Sequence, residues 1–212
     1  ISSSFRLIAL FSLPAGVGLS VLAQPILQLL YPAVPDTAAA AAYHLQILGA
    51  AAVFVCLMIL TNAILQACGR VYVPIVTALI GGAVKISTTY TLCGNPVFGI
   101  KGAPISTTAC YAVIAVLNLC VLAAVLGKSR PRYLPLLCKP ALAAALMGGC
   151  AHFVFRFLHT AAGLSPQWAV LAAIVLAASF YAFLALLLRM VTREDLALIP
   201  KGEKIAKILH IR

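Results

Sequence analysis

The chain has 212 residues, 64% hydrophobic and only 9% charged, with a formal net charge of +11. Soluble domains carry about 25% charged residues, and so few polar groups cannot cover so much apolar chain, so the solvent for most of it must be lipid. A nucleic-acid partner is disfavoured too, because the basic residues fall at the ends of apolar runs and not on a solvated patch.

A helix needs about 20 apolar residues to cross a bilayer, and six segments qualify: 5–30, 40–68, 71–93, 99–127, 134–158 and 166–190. Strands of a membrane barrel would alternate with period two in ~10-residue pieces. Unbroken runs such as Ala50–Leu60 and Trp168–Leu188 exclude that. The expected fold is an all-α, polytopic helical membrane protein, with a six-helix bundle over 1–190 and a separate tail over 191–212.

The first segment carries Leu13-Pro-Ala-Gly-Val-Gly18 and stops at Tyr31-Pro-Ala-Val-Pro-Asp36. Pro14 removes a rung of the helical ladder and predicts a kink, either passive or a hinge. The Gly-x-Gly follows no strand and is no nucleotide loop. No signal peptide precedes this segment, and a chain opening at Ile1 reads as the C-terminal part of a longer protein. The second segment bears Asn62 and Gln66, four residues apart on one stripe, with Thr61 beside them and His44 and Gln46 near its start. Gly69-Arg70 closes it.

The third segment holds the least expected residue, Lys85, near its middle. A charge at the centre of a span costs at least ~2.5–3.5 kcal/mol, and such residues face a bundle interior or a watery cavity. Thr88 and Thr89 follow at i+3 and i+4, on the same helix face. An ammonium with hydroxyls beside it suits a phosphate or carboxylate; the plainer alternative is a lysine bonded to a neighbour's carbonyls or snorkelling to the surface. The fourth segment places Thr107, Tyr111 and Asn118 on one stripe. Singly, such groups most often bond across to the next helix. Three neighbouring helices with a polar stripe apiece predict a shared hydrophilic cavity.

In the fifth segment Ala141, Ala145 and Gly149 form a small-residue face, and Gly81-Gly82 another, both suited to close helix packing. The tail alternates Ile205, Ile208, Leu209 and Ile211 with Lys204 and Lys207 in helical spacing. It predicts an amphipathic helix on anionic membrane lipid.

Numbering membrane faces alternately, twelve lysines and arginines fall on one face and only Lys101 and Arg156 on the other, with Lys85 in neither group. By the positive-inside rule both ends of the segment are expected in the cytoplasm. The acids are only Asp36, Glu194, Asp195 and Glu203, all outside the spans, and no Ser/His/Asp set stands out. Carboxylates that would hold a metal or act as a base are missing, so an enzyme is not expected. The seven cysteines form no CxxC pair and read as small hydrophobes, so no metal site or cofactor is expected.

Several stretches resemble the C-terminal region of stage V sporulation protein B and its relatives. These are polysaccharide-biosynthesis exporters of the superfamily that joins multidrug extrusion transporters to lipid-linked oligosaccharide flippases. The carrying residues are Leu13-Pro-Ala-Gly-Val-Gly-Leu19, Pro25-Ile-Leu-Gln-Leu-Leu-Tyr31 and Asn62-Ala-Ile-Leu-Gln-Ala-Cys-Gly-Arg70. The lysine-bearing helix ending at Asn95-Pro96, Gly99-Ile-Lys-Gly-Ala-Pro-Ile-Ser-Thr107 and Leu198-Ile-Pro-Lys-Gly202 complete the match.

The resemblance implies the last six of about fourteen helices in a two-lobed transporter of the bacterial cytoplasmic membrane, with the N-terminal lobe supplied by the rest of the protein. It implies a cargo of undecaprenyl-pyrophosphate-linked sugar or peptidoglycan precursor, moved by alternating access. Lys85 is then expected to attract the pyrophosphate, with Asn62, Gln66, Thr89 and Asn118 as polar contacts. A multidrug extrusion antiporter is the alternative, disfavoured because a buried lysine repels cationic cargo. A glycosyl- or acyltransferase fragment is the alternative of another class.

Overall fold

The computed structural model describes residues 2–127, 133–160, 165–188 and 190. Seven α-helices run through them: α1 (Ser2–Val21), α2 (Ala23–Leu30), α3 (Pro35–Ala67), α4 (Tyr72–Cys93), α5 (Gly102–Leu126), α6 (Tyr133–Thr160) and α7 (Pro166–Leu187). A short 3₁₀ turn, Gly99–Lys101, leads into α5. Six helical stretches among the described residues are long and apolar enough to cross a membrane. The expected tail helix lies outside the described residues, so the tail's meeting with anionic lipid is not described by the structure.

The helix ends follow local chemistry. Pro35 and Pro166 stand at the first positions of α3 and α7, where a missing N–H costs nothing, and Asp36 sits in the first turn of α3, at the positive end of its dipole. At the other end of α3, Gly69 adopts φ +76°. Its N–H donates to the Gln66 carbonyl and the Arg70 N–H to the Leu65 carbonyl, both at 2.9 Å, a paired closure that turns the chain toward α4. The predicted first span is broken: α1 stops at Val21 and α2 restarts at Ala23, across Leu22. Pro25 accounts for the position, since it offers no N–H to the Val21 carbonyl four residues back.

α1 is the seam of the molecule. On one side it packs on α3, which packs on α5, which packs on α4; on the other it packs on α6, which carries α7. Phe5 of α1 joins Leu57, Leu65, Ala115 and Leu122 in one apolar cluster. Leu10 and Leu22 join Ala143, Ala144, Met147, Ala151, Ala177, Tyr181 and Ala185 in the other. Both clusters depend on small residues. A Cβ on Gly16 would lie 2.6 Å from the Gly49 carbonyl oxygen, and one on Gly49 2.7 Å from that of Gly16, so α1 and α3 touch backbone to backbone. Ser20 reinforces the crossing, donating its hydroxyl to the Gln46 carbonyl at 2.8 Å.

Two of the expected packing faces differ. Gly81 does pack, its absent Cβ being only 2.4 Å from Ile114 of α5, but Gly82 faces open space. Ala141, Ala145 and Gly149 are all exposed, and α6 instead packs through Ala143, Ala144, Met147, Gly148 and Ala151. The reason is phase: both stripes are small, and Val17 of α1 fits against Gly148.

Candidate functional site: an open basic flank beside a closed polar node

The polar residues of α3, α4 and α5 divide into two groups. The first converges on Asn118, which is fully buried at mid-α5. Its amide Nδ2 donates to Asn62 Oδ1 at 2.7 Å and to Thr61 Oγ1 at 3.2 Å. Thr77 Oγ1 of α4 donates to Asn118 Oδ1 at 2.8 Å. Thr61 can accept because its own proton goes to the Leu57 carbonyl, 2.8 Å away. Three helices thus meet on one amide, with both donors and the acceptor used. A buried amide without partners costs about 1–3 kcal/mol; here the node locks α3, α4 and α5 together instead.

The second group lies along one flank of α4. The helix packs on α5 through Pro74, Thr77 and Gly81. Helical phase sets Lys85 about 45° and Thr89 about 85° round from the centre of that face, with Gly82 beside them. Lys85 is exposed and Thr89 half-buried. Neither side chain has a hydrogen bond or ion pair among the described residues. The neighbouring hydroxyls are occupied: Ser87 donates to the Ala83 carbonyl, Thr88 to that of Val84 and Thr91 to that of Ser87, at 2.7–3.0 Å. Toward its C-terminal end the flank opens into a hollow of about 660 Å³ lined by Thr89, Tyr90, Thr91, Cys93, Gly94 and Asn95. Lys85 stands eight residues before the end of α4, about 12 Å along the axis and deep in a hydrocarbon layer about 30 Å thick.

The five expected contact residues are therefore not one constellation. Lys85 and Thr89 share the open flank. Asn62 and Asn118 are tied to each other inside the closed node, and the shared hydrophilic cavity expected from three polar stripes is, on this side, a dry junction. Gln66 is exposed near the end of α3, one turn beyond Asn62 and outside the node. Thr107 bonds back to the Ala103 carbonyl at 3.1 Å and joins neither group. Thr77 is not singled out by sequence, although Pro74, Thr77 and Gly81 trace the packed side of α4 at helical spacing. No group of three or more metal-binding side chains occurs among the described residues. Asp36 is the sole acid among them, at the start of α3.

No family model matches the chain. No solved structure matches it either. Over 215 aligned residues it is 28% identical to the uncharacterized membrane protein YabM of Bacillus subtilis strain 168, an alignment covering all of this chain and 39% of YabM. The chain thus spans about two-fifths of the length of the curated relative it matches. Length, hydropathy and relative agree on the class. This is a multi-pass helical membrane protein.

Proposed function

We propose that the chain is the six-helix C-terminal part of a flippase for lipid-linked sugars or peptidoglycan precursors, in the bacterial cytoplasmic membrane with both ends of the segment cytoplasmic. The observation that carries this reading is the Lys85–Thr89 flank: a cation and a hydroxyl, one turn apart, with no hydrogen bond or ion pair among the described residues and at hydrocarbon depth. A lone ammonium in a span is tolerated where water or a counter-charge reaches it. An anionic cargo supplies that charge, and a pyrophosphate offers several acceptor oxygens to one ammonium and one hydroxyl. The order of motifs resembling the sporulation-protein exporters supports the same cargo class, and the length of YabM leaves room for a second lobe facing this flank.

Transport in this reading is alternating access without covalent chemistry. The remaining lobe closes against α4, the pyrophosphate rests at Lys85, and the lipid tail stays in the bilayer. Thr89 assists, and Gln66, exposed on α3, is available at the membrane surface. Asn62 and Asn118 act by holding α4 in register. The test is a flipping assay on the full-length protein in vesicles with lipid-linked precursor. Lys85→Ala is expected to abolish transport while insertion and yield stay normal; undiminished transport would overturn the assignment.

A further inference from the structure

Pro14 lies inside α1, which runs unbroken past it to Val21. Having no N–H, it leaves the carbonyl of Leu10, four residues back, without its helical donor. That carbonyl is claimed from another helix: Tyr181 of α7 donates its hydroxyl to Leu10 O at 2.8 Å, inside the protein and 171 residues away in sequence. Prolines persist in membrane helices where a neighbouring helix satisfies the freed group. Here a single side chain does so, inside the apolar cluster that α1 shares with α6 and α7.

Beside this bond lies an apolar cavity of about 680 Å³ between α1, α6 and α7. Phe11, Pro14 and Gly18 line it from α1, and Ala178, Ala182 and Leu186 from α7. The elements around it are not equally anchored. α1 is fixed to α3 by the Gly16–Gly49 backbone contact and to α6 by the fit of Val17 on Gly148. Against α7 it presents the cavity and the Tyr181 bond.

We propose that Tyr181 is a latch that holds α7 against α1 at the Pro14 gap, and that its release lets α7 swing about α6 and widen the cavity, whose rim at Phe11 and Leu186 is already exposed. Because residue 14 is proline, the Leu10 carbonyl has no helical donor from that position, which couples the latch to the geometry of α1 around Pro14: a change there re-aims the Leu10 carbonyl and breaks the bond. This device is independent of the cargo, and it holds whether or not Lys85 meets a pyrophosphate.

The test is a double-mutant cycle read by distance, in the full-length protein in lipid vesicles with its native cysteines replaced. Spin labels at Ile59→Cys on α3 and Leu187→Cys on α7, both exposed sites outside the cavity lining, report α7 against a fixed frame. A single distance population is expected with Tyr181 present, and a second, longer one in Tyr181→Phe. Pro14→Ala restores the N–H that Leu10 O lacks, so adding Tyr181→Phe to it is expected to lengthen the distance less than it does beside Pro14. A Tyr181→Phe distribution identical to the parent would overturn the latch. So would an equal broadening with and without Pro14, which would assign the effect to packing alone.

Discussion

Asn118 and Lys85 are both polar groups on membrane-spanning helices, and they are treated in opposite ways. Asn118 sits where three helices converge and commits both N–H donors and its carbonyl oxygen to Asn62, Thr61 and Thr77. Lys85, on the flank of α4, spends none of its ammonium's capacity among the described residues. A polar group in lipid must be satisfied by something. Where the fold itself supplies the partner, the group serves packing. Where it supplies none among the described residues, the partner is water, cargo or another part of the protein, which is why Lys85 carries the proposal.

The same contrast orders the expected effects of substitution, largest first. The tightest packing is the backbone crossing of α1 and α3, and Gly49→Val would drive a side chain into the Gly16 carbonyl and the Ser20 hydroxyl. Overpacking of this kind costs about 3 kcal/mol. A matching fall in the unfolding midpoint of the purified protein checks it. Asn118→Ala strands Asn62 and Thr77 together and is expected to cost about 2 kcal/mol, visible in the same measurement. Lys85→Ala should move stability by less than about 0.5 kcal/mol, because no bond to its ammonium is lost. If Lys85→Ala destabilised as much as Asn118→Ala, the division between closed node and open flank would fall. Outside that order, one pair tests phase by its sign: Gly81→Ala meets Ile114 and is expected to destabilise by about 1 kcal/mol, whereas Gly82→Ala meets nothing and should stabilise by about 0.5 kcal/mol.

The helices were legible because length and hydropathy alone set them: six membrane-length helical stretches occur among the described residues, the first ending at Val21 and not at the expected 30. The break at Leu22 was foreseeable in principle from Pro25, but Pro14 in the same run competed for the role, and only the tertiary hydrogen bond from Tyr181 explains why Pro14 leaves α1 unbroken. Lys85 was legible from its cost. What one helix's period cannot supply is which neighbour each stripe meets. Asn62 and Gln66 share a stripe, yet only Asn62 is level with Asn118, and the difference of one turn, about 5 Å, separates a buried partner from an exposed end. For the same reason the Ala141, Ala145, Gly149 stripe looked as good for packing as the one actually used.

The central claim, an aqueous or cargo-filled environment at Lys85 beside a dry one at Asn118, is tested most directly by thiol accessibility. Lys85→Cys and Asn118→Cys would be made in the full-length protein, with native cysteines replaced, and treated in vesicles with a membrane-impermeant, water-soluble thiol reagent. Labelling at position 85, slowed by added lipid-linked pyrophosphate, and none at position 118 is the expected result. A position 85 that reacts only with lipid-soluble reagents would place Lys85 against the bilayer and contradict the account.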